Sequence, residues 1–298
     1  MKKLLERIRW LASGAERDPG QAFDWVSAPV ATLADPRARS SIARVSAALV
    51  VLCVIADLAA LARHQWWQWP WLLAGHALWA AAFVTGARLS AVHLETIDGR
   101  PLRSLGGPNS ITLARAMLIP ALVYLIAARD FRVSAIAYAV LVCSDVVDGY
   151  WARVGKLRTK FGIVLDPIAD LFLHLAVFLC LGIVKLLPLL AAIFIAARSL
   201  ILIIGVGVLR FHKGSVRIQP TPFGKATGLL QGSATILLLW LAGGEPGSAL
   251  RTIGALRSFL TVLLGLLVLH AITIGVINLG WRKPWLQSRS ARSRRAAK

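Results

Sequence analysis

Residues 144–170 read SDVVDGYWARVGKLRTKFGIVLDPIAD, and this stretch holds four of the 14 acidic residues of the chain. Asp145 and Asp148 are three residues apart, and Asp166 and Asp170 are four apart. Both spacings place two carboxylates on one face of a helix. Apolar runs flank the stretch on both sides. We therefore expect two antiparallel membrane helices, joined by a short basic loop, whose acidic faces meet.

Four carboxylates in a pocket of low dielectric repel one another, so the pattern predicts a cation among them. The stretch contains no His or Cys, and hard oxygen ligands favour Mg²⁺ or Mn²⁺ over zinc. Four carboxylates suffice for two such ions and leave coordination positions for phosphate oxygens. Gly149 and Ala152 leave the helix surface bare for a bulky ligand. Arg153 and the loop residues Arg158 and Thr159 can contact a polyanion.

The composition is that of a membrane protein. Of the 298 residues, 57% are hydrophobic and 16% are charged, and the mean hydropathy is +0.67. A spanning helix needs about 20 mostly apolar residues. Eight stretches qualify or nearly qualify: Ile42–Ala62, Trp71–Leu89, Ile111–Ala128, Ser134–Trp151, Gly162–Val184, Leu187–Leu209, Ala226–Ala242 and Leu256–Gly280. The sequence therefore predicts an all-α integral membrane protein with about eight spans.

The net charge of +20 would suggest a nucleic-acid partner in a soluble protein. In this layout, however, 26 of the 34 basic residues fall in segments on one face of the membrane. Cytoplasmic loops of membrane proteins carry such an excess. We therefore expect both termini in the cytoplasm, contact with membrane lipids and no nucleic-acid partner.

The acidic stretch also matches the pattern D-x-x-D-G-x-x-A-R-x₈-G-x-x-x-D-x-x-x-D, and so resembles the CDP-alcohol phosphatidyltransferase family. All eight fixed positions are filled, since Gly149, Ala152, Arg153 and Gly162 accompany the four aspartates. The resemblance covers six spans from about residue 109 to residue 280 and implies a six-helix core. The predicted organisation is a basic cytoplasmic segment 1–41, an extra transmembrane hairpin 42–90, a linker 91–107, a catalytic domain 108–281 and a basic cytoplasmic tail 282–298.

The resemblance implies an enzyme of phospholipid synthesis, often a homodimer, in a bacterial inner or cell membrane. It would transfer a phosphatidyl group from CDP-diacylglycerol to a small alcohol acceptor and release CMP, with Mg²⁺ or Mn²⁺ bound. Carried over from the family, Asp145, Asp148 and Asp166 are metal ligands, and Asp170 is a ligand or the general base. The residues expected beside the CDP group are Asp145, Gly149, Ala152, Arg153 and Thr159.

Two cations in later helices bear on the acceptor. Arg198 lies in an apolar run and Lys225 opens the next span, so both are candidates to bind an acceptor phosphate. The alternatives are that Arg198 pairs with a motif aspartate and that Lys225 extends to the interface. The runs Leu165–Asp170 and Gly224-Lys225 resemble phosphatidylglycerophosphate synthases, which implies glycerol 3-phosphate.

One departure keeps other acceptors open. Phosphatidylglycerophosphate synthases typically carry Lys after the last motif aspartate, where this chain has Leu171. Inositol phosphate and serine therefore remain alternatives. From another class, an ion-coupled transporter would also bury acids in the membrane. It predicts acids spread over several helices, whereas four of them here lie in one helix pair.

Three further residues carry expectations. Asp57 lies in the first span, where an interhelical hydrogen bond is the usual arrangement of a buried polar group. Arg115 can either reach the acidic pocket from the first core helix or extend to the interface. Asn109 or Ser110 is expected to cap that helix at its N-terminus.

Overall fold

A computed structural model of the chain describes residues 36–63, 69–90, 94–96, 100–155, 157–213, 222–244, 247 and 249–280. Within these ranges the chain forms α-helices, and its only strand-like pairing is a pair of isolated β-bridges. The helices are α1 (Pro36–Arg63), α2 (Trp69–Leu89), α3 (Gly107–Met117), α4 (Ile119–Ala127), α5 (Phe131–Val154), α6 (Lys160–Ile183), α7 (Leu189–Lys213), α8 (Pro222–Ala242) and α9 (Leu250–Gly280).

The helices are those of a multi-pass membrane protein, as predicted. Among the described residues, five segments are long and apolar enough to cross a bilayer: α1, α2, α3 with α4, α6 and α9. The apolar parts of α7 and α8 are shorter. The α5 helix carries two acidic residues, Asp145 and Asp148, in its second half, and Arg132 and Arg153 lie near its two ends.

Several helices extend beyond the predicted apolar segments. The α1 helix begins at Pro36 rather than Ile42, and α9 begins at Leu250 rather than Leu256. In both cases the added turns contain arginines. Hydropathy marks the part of a helix that lies in hydrocarbon, whereas backbone hydrogen bonding continues into the interface. The N-terminal arm up to residue 35 and the basic tail 282–298 lie outside the described residues.

The predicted span Ile111–Ala128 is confirmed as one apolar segment long enough to cross a bilayer, but a break divides it into two helices. The chain leaves α3 at Leu118 and starts α4 at Ile119, with Pro120 in the first turn. Proline has no amide proton and its ring clashes with the preceding turn, so it breaks a helix at this point.

Two apolar clusters fix the relation between the hairpin α1–α2 and the remaining helices. The larger cluster contains residues of all six helices from α4 through α9. It includes Tyr138, Phe178, Leu238 and Leu264, each with no exposed surface. The second cluster joins the hairpin to α3 and to the start of α6, through residues such as Ile42, Ala80, Leu113 and Phe161. The hairpin therefore packs against two helices that carry the candidate site.

Candidate active site

The start of α6 is anchored against α3 by three polar or small residues. Thr159 caps α6, since its Oγ1 accepts a hydrogen bond from the Gly162 amide at 2.9 Å. The same hydroxyl donates to Asn109 Oδ1 at 3.0 Å. A Cβ on Gly162 would lie 2.6 Å from that Asn109 oxygen. Glycine is therefore required here for α3 and α6 to approach each other this closely.

The expected cap at Asn109 or Ser110 is wrong. The α3 helix begins at Gly107 after Gly106, and no side chain caps it. The Asn109 amide nitrogen donates instead to the carbonyl of Leu105 at 2.6 Å. Asn109 thus belongs to the contact between α3 and α6, where its two ends bond a backbone carbonyl and Thr159.

The motif aspartates of α5 and α6 meet at Thr112. Its Oγ1 lies 2.9 Å from Asp148 Oδ2 and 2.9 Å from Asp166 Oδ1. Because a hydroxyl carries a single proton, it can donate to only one of these carboxylates at a time. Asp148 is buried, with 3% of its surface exposed. Asp166 is half-buried, so one buried and one half-buried acid concentrate negative charge around this hydroxyl.

Arg115 supplies positive charge to this point from one turn further along α3. Its Nη1 lies 2.6 Å from Asp145 Oδ1, and its Nη2 lies 3.9 Å from Asp148 Oδ2. The guanidinium is buried, and none of its three nitrogens has an aligned hydrogen-bond partner among the described residues. Of the two expectations for Arg115, the structure thus places it in the acidic pocket and not at the interface.

The fourth aspartate, Asp170, is half-buried on α6. The charge of Asp170 interacts with those of Arg115 and Arg198. Arg198 is a half-buried residue of α7, and within the described residues no ion pair of 4 Å or less joins it to Asp170. The side chain of the second predicted acceptor cation, Lys225, lies outside the described residues.

The residues predicted beside CDP are arranged in two ways. Gly149 lies under the side chain of Arg153, whose Nη1 is 3.3 Å from the point that a Cβ on Gly149 would occupy. Arg153 is exposed and Ala152 is half-buried. Thr159, in contrast, is 3% exposed and its hydroxyl already donates and accepts within the fold. The structure therefore gives Thr159 a positioning role instead of an open binding surface.

Sequence reasoning missed two parts of the site. Thr112 was not predicted, although Asn109, Thr112 and Arg115 recur every three residues and so mark a polar face on α3. The second part is the connector between α2 and α3, which pairs with the loop between α5 and α6. Thr96 forms an antiparallel bridge with Thr159, and Glu95 forms an ion pair with Lys160.

The four carboxylates are chemically suited to bind a divalent cation, but their side chains are not arranged around a common point. All are hard oxygen donors, as Mg²⁺ and Mn²⁺ require. Within the described residues, no three acidic, His or Cys side chains are grouped closely enough to hold a metal ion. Arg115 lies between Asp145 and Asp148, and Thr112 lies between Asp148 and Asp166. Metal binding therefore requires the side chains to rearrange around these two residues.

Comparison with known proteins supports the sequence resemblance. Residues 105–277 match the family model described as CDP-alcohol phosphatidyltransferase. A Schizosaccharomyces pombe protein, cardiolipin synthase (CMP-forming) / mitochondrial hydrolase fusion protein, is 34% identical over 164 residues, which are 49% of this chain and 27% of that protein. Human cardiolipin synthase (CMP-forming) is 33% identical over 116 residues, 39% of this chain and 37% of its own length.

A bacterial relative is matched over more of its length. The CDP-diacylglycerol–glycerol-3-phosphate 3-phosphatidyltransferase of Aquifex aeolicus is 30% identical over 125 residues, which are 41% of this chain and 68% of that protein. The chain thus spans about a quarter to a third of the two cardiolipin synthases and two thirds of the Aquifex protein. Helices α1 and α2 lie outside the range matched by the family model.

Proposed function

The chain belongs to the CDP-alcohol phosphatidyltransferase family, and we propose that it transfers a phosphatidyl group from CDP-diacylglycerol to an alcohol and releases CMP. One observation carries the proposal: carboxylates from α5 and α6 meet around Thr112 and Arg115 at one end of the helix bundle. A lipid-linked donor fits such a site, because its acyl chains can remain in the bilayer while the nucleotide reaches the polar helix ends.

We propose that the site works with two Mg²⁺ or Mn²⁺ ions held by Asp145, Asp148, Asp166 and Asp170. The donor set supports this, since it contains only carboxylate oxygens and carries more negative charge than Arg115 and Arg198 neutralise. When bound, divalent ions offset the charge of a diphosphate and of the departing CMP.

The groups of the chain have separate tasks in the proposed reaction. The oxygen of the acceptor hydroxyl bonds to the phosphorus that carries the diacylglycerol, and the bond from that phosphorus to the CMP oxygen breaks. The proton of the hydroxyl passes to Asp170, which acts as general base. Thr112 donates to one of Asp148 and Asp166 and so orients that carboxylate. Arg153 binds the diphosphate over the bare surface of Gly149 and Ala152.

The acceptor we propose first is glycerol 3-phosphate. Arg198 supports it, because its guanidinium interacts electrostatically with Asp170, the proposed base, and guanidinium groups bind phosphate. Lys225 is proposed as a second phosphate ligand from the N-terminal turn of α8. The Aquifex relative, named for glycerol 3-phosphate, supports the same acceptor.

A second candidate acceptor is the glycerol headgroup of a phospholipid, which would make the product a cardiolipin. Two observations favour it. The S. pombe and human relatives are named cardiolipin synthases, and Leu171 follows the last motif aspartate where glycerol-phosphate enzymes typically have Lys. An apolar side chain at this position suits an acceptor that arrives from the bilayer.

The activity is tested with the purified full chain in lipid nanodiscs supplied with CDP-diacylglycerol and Mg²⁺ or Mn²⁺. CMP release is followed for glycerol 3-phosphate, phosphatidylglycerol, inositol phosphate and serine in separate reactions, and mass spectrometry identifies the lipid product. We expect CMP release with one glycerol-based acceptor and no release from the Asp166→Asn variant. Folded protein that releases no CMP with any acceptor would contradict the proposal, and product formed from serine or inositol phosphate would overturn the acceptor assignment.

We also propose that the site and both termini face the cytoplasm. The distribution of basic residues supports this orientation, because 26 of 34 fall in segments on the side of the α5–α6 loop. Cleavage of a C-terminal tag by a protease added outside sealed cells would contradict it.

A further inference from the structure

The hairpin α1–α2 buries an acid and an imidazole that the proposed reaction does not use. Asp57 of α1 and His76 of α2 are 2% and 3% exposed. Both carboxylate oxygens of Asp57 lie 2.8 Å from His76 Nδ1. This is the interhelical hydrogen bond expected for Asp57, and the prediction is confirmed. The pair lies outside the range matched by the family model.

The second nitrogen of the His76 ring contacts the first core helix. Its Nε2 lies 2.7 Å from the carbonyl oxygen of Met117, at the break between α3 and α4. Whether the proton shared with Asp57 resides on the carboxyl or on Nδ1, one proton lies between those two groups. In both cases Nε2 keeps its own proton and donates it to Met117. Asp57 therefore fixes the tautomer that closes the contact, as carboxylates do for metal-binding histidines.

A second side chain of the hairpin bonds the adjacent carbonyl. Trp79 Nε1 donates to the carbonyl of Ala116 at 2.8 Å. That carbonyl has no partner four residues later, because Pro120 lacks an amide proton. In a membrane such a group must be satisfied by a neighbouring helix. His76 and Trp79 together thus satisfy the two carbonyls at the break.

Trp79 also contacts the second acidic helix. Its ring packs edge-on against Phe172, with centroids 5.2 Å apart, and Phe83 packs against the same ring. Phe172 comes two residues after Asp170. The hairpin therefore contacts α3 close to Thr112 and Arg115, and contacts α6 close to the proposed base.

We propose that Asp57, His76 and Trp79 are positioning residues that hold the broken helix α3–α4 so that Thr112 and Arg115 stay among the carboxylates of α5 and α6. The proposal rests on the proposed transferase function. In this arrangement the proline break gives α3 freedom to tilt, and the hairpin restricts it to one orientation. Loosening the contact misplaces Thr112 and Arg115 without removing any group that touches the substrate.

The test compares His76→Phe, which keeps a ring but removes the donor, with His76→Gln, which keeps a side-chain N–H. Ser46→Ala is the matched control, since Ser46 is buried in α1 and its hydroxyl has no hydrogen-bond partner among the described residues. We measure kcat and KM for CDP-diacylglycerol, and hydrogen exchange of peptides covering residues 110–122. For His76→Phe we expect kcat to fall about tenfold, KM to stay within about twofold, and exchange to rise in those peptides.

His76→Gln is expected to restore kcat to within about threefold of the parent, and Ser46→Ala to leave both measurements unchanged. An unchanged kcat for His76→Phe, or faster exchange throughout the chain, would overturn the positioning role. The exchange measurement needs no activity. If the parent chain releases no CMP, faster exchange confined to residues 110–122 still supports the contact, and the failure lies with the proposed function.

Discussion

The hairpin α1–α2 and the helix pair α5–α6 both bury acids in membrane helices, but they treat them differently. Asp57 has one partner, His76, and the imidazole uses both of its nitrogens. In α5 and α6, several carboxylates contact the same two residues, Thr112 and Arg115. The side chain of Asp145 remains 48% exposed. The first arrangement is closed and neutral as a unit, whereas the second is open and carries excess negative charge.

The difference indicates where function resides. A buried charge is costly in a membrane, so a complete pair is what stability alone would favour. A cluster that leaves guanidinium nitrogens and carboxylates without full partners is retained at a cost, and such clusters occur at functional sites. We therefore expect the hairpin to contribute structure to the site and the helix pair to contribute the proposed chemistry.

Removal of divalent cations should affect the two regions most differently. EDTA is expected to abolish CMP release, and added Mg²⁺ or Mn²⁺ to restore it, because the carboxylates of α5 and α6 cannot bind the diphosphate without added positive charge. Hydrogen exchange at the His76 contact should not change, since no acid of the helix pair takes part in it. Full activity in EDTA would contradict the metal proposal.

Asp170→Asn should have the next largest effect. It removes the proposed base, which is expected to lower kcat about 10²–10⁴-fold. Asp130→Asn is the matched control, since Asp130 pairs with Arg63 at 2.8 Å at the other end of the bundle. Such a pair, with Arg63 more than half exposed, contributes about 0–1 kcal/mol, so the control should remain active. Equal losses in the two variants would show that the effect comes from general destabilisation.

Thr112→Val tests the contact that joins the two acidic helices. Valine keeps the shape but leaves Asp148 and Asp166 without their shared donor, and we expect kcat to fall about 10–100-fold. Thr112→Ser keeps the hydroxyl and should retain most activity. Thr235→Val is a control, because Thr235 is fully buried and its hydroxyl bonds the Gln231 carbonyl of its own helix. An active Thr112→Val enzyme would remove Thr112 from the site.

Much of the fold follows from the sequence, because a bilayer permits few arrangements. Long apolar runs identify the described helices, although one run covers both α3 and α4, and the polar residues between the runs mark the turns. The break at Leu118 was missed even though Pro120 is visible in the sequence, since hydropathy is insensitive to a missing amide proton. The early start of α1 at Pro36 was missed for the related reason that its first turns are charged.

The site could be predicted only where both partners lie in one motif. Regular spacing placed Asp145, Asp148, Asp166 and Asp170 on facing helices. The structure joins Asp148 and Asp166 at Thr112, and Asp145 and Asp148 at Arg115. The contacts of Thr112, and of Trp79 with Ala116, join residues 36 or more positions apart. Such pairs depend on how helices pack, which no local pattern encodes. The roles of the aspartates and the homodimer remain predictions.

The smallest effect we expect concerns one glycine in each region. A Cβ on Gly162 would lie 2.6 Å from Asn109 Oδ1 and 3.1 Å from Thr159 Oγ1, whereas a Cβ on Gly75 of α2 would meet nothing within 4 Å. Gly162→Ala should therefore lower the free energy of unfolding by about 1–3 kcal/mol. Gly75→Ala should raise it by about 0.5–1 kcal/mol, because alanine loses less backbone entropy in a helix. Thermal unfolding in one detergent measures both variants. If Gly75→Ala destabilised the protein as much as Gly162→Ala, the close approach of α3 and α6 would not explain the need for glycine at position 162.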